Sequence, residues 1–451
     1  ILCIDCPDTM IAVKKDSPLI FGYGDGEMFI ASDVPAILKY TRQVSYLDDG
    51  DMAVFTAEHV DFFNALGEPV EKKIERISWE LSAAEKGGYA HFMLKEIHEQ
   101  PKAIRDTISP RIQNGNIVLD EVSLTADYLR QLRKIYIVAC GSASYVGNLA
   151  KYIFEKYCRI STEVVLGSEF RYADPVVDEN TLVLIISQSG ETADTLAGLR
   201  EAKRRGARTL GIVNVVGSAI AKAADDVIYT WAGPEIAVAT TKAFSTQLSV
   251  IYLLALHFAQ QLGTMTDSEQ ADILAQLQQL PDEMSKFLCE ENISAIQYCA
   301  SQFFNHRDVF FIGRNLDSAI CLEGSLKLKE IAYIHSEAYP AGELKHGPIS
   351  LIEDGTLVMA MATMPELFEK TMANVKEVKA RGADVLGVTV AGYEEEIKKY
   401  VDHAIIVPRV HPMLQPSLTL IPLQIFAYYM ALLRGCDVDK PRNLAKSVTV
   451  E

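Results

Sequence analysis

The stretch at residues 182–195, LVLIISQSGETADT, constrains the fold of this chain more than any other part of the sequence. Its first five residues are all apolar, which predicts a fully buried strand, and the residues from Ala193 onward predict a helix. The turn between them includes four uncharged polar side chains: Ser187, Gln188, Ser189 and Thr192. Such a turn directs hydroxyls and free backbone N–H groups at one point, in front of the positive end of a helix dipole. It predicts a phosphate cradle, and the alternative is a serine-rich helix cap without a ligand.

Apolar strands alternate with helical stretches through the rest of the chain, which predicts an α/β fold with parallel sheets covered by helices on both faces. The fragments AKRRGARTLGIVN and VKARGADVLGVTV are alike, and their glycines, Gly206 and Gly382, stand 176 positions apart. This spacing predicts a duplicated domain. Only the first copy has the hydroxyl-rich turn, because the second has Thr363-Met364-Pro365 at that place. We therefore expect one site per chain, walled partly by the second copy.

Composition and chain order suggest five segments. Residues 1–70 hold short β-like runs, and residues 71–90 have the charged and small side chains of a linker. We assign residues 91–280 to a helical lead-in and the first α/β domain, residues 281–438 to the second, and residues 439–451 to a tail. Because Ile1 opens the chain inside an apparent strand without a preceding Met, we expect further residues upstream.

The net charge of −17 argues against nucleic acid or an anionic membrane as the main partner. The apolar run at residues 418–433 contains Pro422 and Gln424, so it predicts a buried helix rather than a membrane span. Eight scattered cysteines suit a reducing cytoplasm. Cys3 and Cys6 lack the second pair that a zinc site needs, so no metal site is predicted.

Five motifs in a fixed order resemble the family of glutamine–fructose-6-phosphate aminotransferases (isomerizing), the glucosamine-6-phosphate synthases. They are SQSGETADT at 187–195, EIAVATTKAF at 235–244, EGSLKLKE at 323–330, AGELKHGP at 341–348 and PRNLAKSVTVE at 441–451. The resemblance implies an α/β fold of two tandem sugar-isomerase (SIS) domains. Each is a three-layer αβα unit with a parallel sheet, and the pair follows a β-rich remnant of an Ntn-type glutaminase domain.

The family forms glucosamine 6-phosphate from fructose 6-phosphate, using ammonia released from glutamine in an N-terminal domain; this is the first step of amino-sugar synthesis. The resemblance implies no metal or organic cofactor. In the family the glutaminase nucleophile and the glutamine-binding residues would lie upstream of Ile1. We therefore expect this chain to retain sugar-phosphate isomerisation and to lack glutamine hydrolysis, so that glutamine is a partner only of a full-length parent.

The resemblance also assigns substrate contacts. Ser187, Gln188, Ser189 and Thr192 resemble the family's phosphate contacts, in agreement with the cradle. Three other positions resemble residues that contact the sugar: Ser142, Val238 and Ala445. Ala143 departs from the family pattern, because a serine there normally reaches the phosphate. We consider Ser144 the candidate replacement.

Glu323, Lys327 and Glu330 follow one another at i, i+4 and i+7, on one face of a helix. Without the resemblance, a solvated ladder of ion pairs is the favoured interpretation. With it, Glu330 resembles the group that carries a proton between carbons 1 and 2 of the sugar. Lys327 resembles its cationic partner, which steadies the enediol-like charge.

Two further catalytic assignments rest on the resemblance. His346, in a turn before Pro348, resembles a ring-opening acid/base that the neighbouring subunit of a homodimer contributes. Lys446 resembles a lysine that forms a Schiff base with the open-chain ketose. A lysine so near the C-terminus is otherwise expected to be frayed and solvated, but the tail at residues 443–450 is apolar enough to predict packing over the site.

Two other functions compete with this hypothesis. One is a phosphosugar isomerase or deglycase without a glutaminase, and the β-rich residues 1–70 argue against it because such an enzyme needs no domain of that kind. The other is a non-catalytic phosphosugar sensor. The presence of Glu330, His346 and Lys446 argues against the sensor.

Overall fold

The computed structural model describes residues 1–15, 19–32, 34–77 and 85–449. The described residues before position 78 form two four-stranded antiparallel sheets, which bury Phe21, Phe55 and Phe62 between them. The strand orders of the two sheets are β1-β2-β6-β7 and β4-β3-β5-β8. Part of the predicted linker, residues 78–84, lies outside the described residues. The elements are β1 (Leu2–Cys3), β2 (Cys6–Val13), β3 (Ile20–Tyr23), β4 (Met28–Ala31), α1 (Val34–Ile37), β5 (Gln43–Tyr46), β6 (Met52–Phe55), β7 (Val60–Phe63) and β8 (Glu75–Arg76).

The first repeat is a five-stranded parallel sheet in the order β12-β11-β13-β14-β15. All seven residues of its central strand β13 are buried, as the apolar run predicts. Its elements are α2 (Phe92–Ile108), β9 (Ile112–Gln113), β10 (Asn116–Ile117), α3 (Ala126–Gln131), β11 (Lys134–Ala139), α4 (Ser142–Ile153), β12 (Ser161–Leu166), α5 (Gly167–Phe170), β13 (Thr181–Ser187), α6 (Ala193–Arg204), β14 (Arg208–Val213), α7 (Ala219–Ala223), β15 (Asp226–Tyr229) and α8 (Lys242–Leu262).

The second repeat has a parallel sheet with the equivalent strand order, β17-β16-β18-β19-β20. The predicted duplication and the α/β class are therefore confirmed. Its elements are α9 (Asp267–Phe287), α10 (Glu290–Phe303), β16 (Asp308–Gly313), α11 (Leu316–Lys327), β17 (His335–Pro340), β18 (Leu357–Ala362), α12 (Phe368–Lys379), β19 (Asp384–Val390), α13 (Glu394–Ile397), β20 (His403–Val407) and α14 (Gln415–Leu433).

The long helices α8 and α14 contribute to one hydrophobic core that joins the two sheets. Among the described residues, α14 is the one helix long and apolar enough to span a membrane, yet 83% of it is buried inside the protein. It is a core helix, as Pro422 and Gln424 predict. Because both repeats share this core, the end of one sheet can be held rigidly against α11 of the other repeat.

The boundary predicted at residue 280 falls inside α9, which runs through Pro281 to Phe287. A proline removes one backbone donor, but the packed apolar face of this helix holds it together across that position. The predicted limit at residue 280 therefore falls within a continuous helix. The other predicted limits stay predictions, and residues 450 and 451 of the tail lie outside the described residues.

Candidate functional site

The hydroxyl-rich turn lies where the strand order of the first sheet reverses. Neighbouring strands β11 and β13 end at Ala139 and Ser187, and the helices that follow them, α4 and α6, cover opposite faces. The carboxyl ends of strands at such a switch point form the usual ligand crevice of an open α/β sheet. Ser142, the first residue of α4, and Thr192, which immediately precedes α6, both belong to this crevice.

The turn is already folded into a cradle. The Ser187 hydroxyl accepts a hydrogen bond from Gly190 N at 3.0 Å and lies 3.1 Å from the Thr192 hydroxyl. The Ser189 hydroxyl accepts from Glu191 N at 3.2 Å. Gly190 has a φ of +69°, and a Cβ there would stand 2.0 Å from Ser218 Oγ. Only glycine therefore fits this position of the cradle.

A cavity of about 540 Å³ opens beside the cradle, between the first repeat and the N-terminal sheets. Gln188 and Ser189 line it on one side, and Ala445 and Lys446 of the tail line it on another. Tyr46, at the end of β5, also lines it. The structure thus brings two cradle residues and two tail residues to one cavity.

The predicted triad of Glu323, Lys327 and Glu330 forms a buried network of charged side chains. The Lys327 ammonium lies 3.1 Å from Glu323 and 2.5 Å from Glu330. It also donates to Ser142 Oγ at 3.2 Å and to Thr240 O at 3.1 Å. The side chains of Glu323 and Lys327 have no exposed surface, so a solvated ladder is excluded.

Glu330 lies beyond the α-helical part of α11, in a wide π-type turn at Leu328–Ala332. The spacing i, i+4, i+7 predicts that all three residues lie on one face of an α-helix. The structure differs in that Glu330 lies in the wide turn instead. The turn places the Glu330 carboxylate against Lys327 while leaving 21% of the side chain exposed. Turns of this type recur at functional sites.

Burial raises the pKa of Glu323 to about 7, with Lys327 opposing the rise and the charge of Glu330 adding to it. For Lys327, burial disfavours the charged form, but the two carboxylates prevail and raise the pKa of its ammonium above the ordinary value. Lys327 therefore stays charged at neutral pH. The Ser142 hydroxyl donates to Glu323 at 3.1 Å, so the network joins the two repeats.

Lys446 is anchored rather than frayed. Its ammonium donates to Glu235 Oε2 at 2.6 Å and to Ala237 O at 2.8 Å. The other oxygen of Glu235 accepts from Thr241 N and Ala243 N, both at 2.9 Å. Burial would raise the pKa of Glu235, but the Lys446 charge and these donors hold it below the ordinary value. A solvated lysine is therefore the wrong interpretation.

The tail crosses the site and is held at both ends by backbone hydrogen bonds. Val238 N donates to Asp439 O at 3.0 Å, and Ala193 N, at the start of α6, donates to Val448 O at 3.1 Å. Asn443 and Leu444 line a second cavity, of about 450 Å³, together with Glu330. Lys446 and its neighbours line the cavity beside the cradle, so successive parts of the tail line both cavities.

His346 lines neither of these two cavities of its own chain, whereas Glu330 lines the second cavity and not the one beside the cradle. His346 ends a short 3₁₀ segment, Ala341–His346, and is exposed. Ser144 does not replace the hydroxyl missing at Ala143 either, because it is buried and donates to Gly141 O at 2.7 Å. That expectation is wrong, since the hydroxyl closes its own turn.

Three polar groups of the site were missed by sequence reasoning: Glu235, Thr240 and Glu96. Glu235 and Thr240 lie in the EIAVATTKAF motif, where only Val238 was assigned a role. Glu96 lies on α2 with its carboxylate against Ile236 and Ala237. A charged residue on the apolar face of an amphipathic helix is the signal that could have revealed it.

Comparison with known proteins gives the family. The model of the SIS domain matches residues 128–257 and 302–434. A glutamine–fructose-6-phosphate aminotransferase (isomerizing) from Caldanaerobacter subterraneus subsp. tengcongensis is 54% identical over 100% of this chain and 74% of the relative. One from Clostridium tetani is 52% identical with the same coverage.

Solved structures agree with these relatives. The C-terminal domain of glucosamine-fructose-6-phosphate aminotransferase from Francisella tularensis superposes with a TM-score of 0.75 and 38% identity, over 79% of this chain and 100% of that one. Glucosamine-6-phosphate deaminase from Thermotoga maritima gives a TM-score of 0.62 and 25% identity, over 79% and 99%. This chain therefore belongs to the family of glutamine–fructose-6-phosphate aminotransferases (isomerizing), which are transferases built on two SIS domains.

Proposed function

We propose that this chain binds fructose 6-phosphate and converts it, with ammonia, into glucosamine 6-phosphate and water. The observation that carries the proposal is the single cavity lined by Gln188 and Ser189 of the cradle and by Lys446 of the tail. The names of the relatives, all glutamine–fructose-6-phosphate aminotransferases, support the choice of substrate.

The cradle would hold the phosphate. The hydroxyls of Ser187, Ser189 and Thr192 donate to phosphate oxygens, and the N-terminus of α6 adds its dipole. Backbone and side-chain groups of Ser142, Val238 and Ala445 would contact the sugar. The tail then closes over a substrate whose anionic end is fixed.

Lys446 would act on carbon 2 of the open-chain ketose. Its neutral amine adds to the carbonyl carbon, and loss of water leaves an imine. Ammonia adds to that imine carbon and expels the lysine amine, which leaves a sugar imine. The Glu235 carboxylate, 2.6 Å from the ammonium, is placed to take the proton that Lys446 must first lose.

Glu330 would complete the isomerisation. It takes a proton from carbon 1 of the sugar imine and returns it to carbon 2, while the hydroxyl proton on carbon 1 passes to nitrogen. Lys327, buried and charged beside it, stabilises the negative charge that develops on the oxygen of carbon 1. The product is the amino aldose phosphate.

His346 would open the sugar ring from the partner subunit of a homodimer. Its exposed position, away from both cavities of its own chain, supports a contribution in trans. A shared site would make dimerisation obligatory for activity. All eight cysteines lie in the described residues without a disulfide between them, which supports a cytoplasmic location for the dimer.

The test is the product formed by the purified 451-residue chain from fructose 6-phosphate. With ammonium present we expect glucosamine 6-phosphate, and without it interconversion of fructose 6-phosphate and glucose 6-phosphate. Absence of both reactions would contradict the proposal. That glutamine yields no glutamate with this chain stays a prediction, and the same assay measures it.

The alternative function is a phosphosugar isomerase or deglycase independent of glutamine. The similarity to the deaminase from Thermotoga maritima favours it as the second candidate. Isomerisation without any amino-sugar product, or ammonia release from glucosamine 6-phosphate as the faster reaction, would select this alternative.

A further inference from the structure

Glu96 is a buried carboxylate that the proposed mechanism does not use. It lies on α2, and only 2% of the residue is exposed. Its Oε1 accepts hydrogen bonds from Ile236 N at 2.6 Å and from Ala237 N at 3.0 Å. Its Oε2 is buried without a hydrogen-bond partner. A buried carboxyl group with one unsatisfied oxygen is costly, so its presence here calls for a reason.

The segment that Glu96 holds is the segment that holds Lys446. Ala237 donates its N–H to Glu96 and offers its carbonyl to the Lys446 ammonium at 2.8 Å. Glu235, one residue before Ile236, provides the other contact of Lys446, at 2.6 Å. Glu96 therefore holds the short loop that provides both contacts of Lys446.

Glu235 contacts the Lys446 ammonium directly, and Glu96 holds the loop that provides its second contact. The other charged groups around Glu96 have partners of their own. On α2, Lys95 lies 3.5 Å from Glu99, and Lys242 at the start of α8 lies 2.7 Å from the same carboxylate. The Asp439 carboxylate in the tail accepts hydrogen bonds from Phe92 N and Met93 N at the start of α2. Lys446 is the cation whose charge opposes the rise in the pKa of Glu96.

We propose that Glu96 is a positioning residue for Lys446: it fixes the Ile236–Ala237 peptide that receives the ammonium, and its charge state sets how readily Lys446 becomes a neutral amine. The inference rests on the proposed role of Lys446 as the amine that attacks the ketose. It adds a residue on the lead-in helix to a site otherwise built from the two repeats and the tail.

The charge state of Glu96 gives the direction of the effect. The pKa of Glu96 is raised to about 8, chiefly by burial and further by the negative charge of Glu235. The positive charge of Lys446 opposes this rise. Below about pH 8 the Glu96 side chain is a protonated carboxyl group without charge, so an amide at the same place has the same charge. Above it, the carboxylate stabilises the Lys446 ammonium, and an amide at the same place does not.

The experiment traps the imine between Lys446 and fructose 6-phosphate with borohydride and follows the extent of labelling by intact mass from pH 6 to 11. Peptide mapping identifies the labelled lysine. The variants are Glu96→Gln, Glu96→Asp and Asp317→Asn. Asp317 is the matched control, because it is also buried and also accepts two successive backbone N–H groups, Thr363 N and Met364 N.

We expect Glu96→Gln to shift the midpoint of labelling to lower pH by roughly one unit, as loss of a nearby opposite charge does. Glu96→Asp, which keeps the charge but withdraws it by one methylene, should shift it in the same direction by less. Asp317→Asn should leave the midpoint unchanged. If Glu96→Gln does not fold, the shift in Glu96→Asp decides the matter.

Profiles of both Glu96 variants that superpose on that of the wild type would overturn the role of Glu96 and leave the proposed function standing. A midpoint shift in Asp317→Asn equal to that in Glu96→Gln would also overturn it, since the effect would then come from general destabilisation. Wild-type protein that is not labelled at Lys446 at any pH would remove the proposed role of Lys446, and this inference with it.

Discussion

Lys327 shows how single residues define this site. It lies fully buried between Glu323 and Glu330 and donates to Ser142 and Thr240 of the other repeat. One cation between two carboxylates leaves a net negative charge in a buried place, which lets a carboxyl in the network exchange protons near neutral pH. The raised pKa of Glu323, about 7, is the expression of this arrangement.

The first prediction concerns Glu330. Because its carboxylate is proposed to carry the proton between carbons 1 and 2, Glu330→Gln should lower the rate of isomerisation by roughly 10²–10⁴-fold. Binding of fructose 6-phosphate, measured by calorimetry, should change little, since the cradle is untouched. Glu353→Gln, at an exposed carboxylate, serves as the control. A Glu330→Gln variant with full activity would remove Glu330 from the mechanism.

For single residues, the sequence predicted which side chains belong to the site better than it predicted which residues they contact. Spacing placed Glu323, Lys327 and Glu330 together, but burial, which decides between a surface ladder and a reactive network, depends on the other repeat. Glu96 and Lys446 are 350 positions apart in the chain and meet only through the loop at Ile236 and Ala237. No local pattern contains such a contact.

The elements that matter most are the cradle turn and the tail. The turn was predictable because strand, turn and helix are contiguous, and the observed β13 and α6 match the apolar run and the start at Ala193. The tail was predictable only as an apolar end. Two of its attachments, at Val238 and Ala193, are backbone hydrogen bonds that carry no side-chain signature.

The second prediction tests the cradle as an element. Gly190→Ala adds a Cβ that would stand 2.0 Å from Ser218 Oγ at a φ of +69°, so the turn must move. We expect at least a tenfold weaker affinity for glucose 6-phosphate, measured by calorimetry. Gly206→Ala is the matched control, because its φ is also positive, +88°, but no atom lies within 4 Å of the added Cβ. Equal affinities in the two variants would contradict a preformed cradle.

At the scale of the whole molecule, buried carboxyl groups give stability a pH dependence. The pKa of Asp317 is raised from 3.8 to about 6, chiefly by burial. Those of Glu323 and Glu96 are raised from 4.5 to about 7 and about 8. Between pH 4 and 8 each of these three groups binds more protons in the folded chain than in the unfolded chain, so its own contribution to the free energy of unfolding falls as pH rises.

The third prediction follows from that sign. Asp317→Asn removes one of these groups, so the loss of stability between pH 4 and 6 should be smaller in the variant than in the wild type. Urea denaturation at a series of pH values measures it. Glu353→Gln, at an exposed position, should keep the wild-type slope. An Asp317→Asn slope as steep as that of the wild type would show that Asp317 is not protonated on folding.

The fourth prediction concerns the dimer. Chains carrying His346→Ala and chains carrying Lys446→Ala should each be inactive alone. In a mixed dimer, a site with its own Lys446 and the partner's intact histidine would be complete, so mixing and refolding should restore activity. A histidine acting within its own chain would leave every mixed dimer inactive, and that result would contradict the contribution in trans.

The fold class, the duplication and the family could all be predicted from the sequence, because each depends on patterns repeated along the chain. The predicted boundary at residue 280 falls within α9, which continues through Pro281 because packing outweighs the loss of one backbone donor. The expectation that Ser144 supplies the hydroxyl missing at Ala143 failed, because the Ser144 hydroxyl donates to Gly141 O within its own turn.

The most direct measurement is a crystal structure of the chain with fructose 6-phosphate. The phosphate should lie within hydrogen-bond distance of the hydroxyls of Ser187, Ser189 and Thr192, with Lys446 beside carbon 2 and Glu330 beside carbons 1 and 2. A phosphate bound elsewhere, or a sugar out of reach of Lys446 and Glu330, would contradict the site proposed for this molecule.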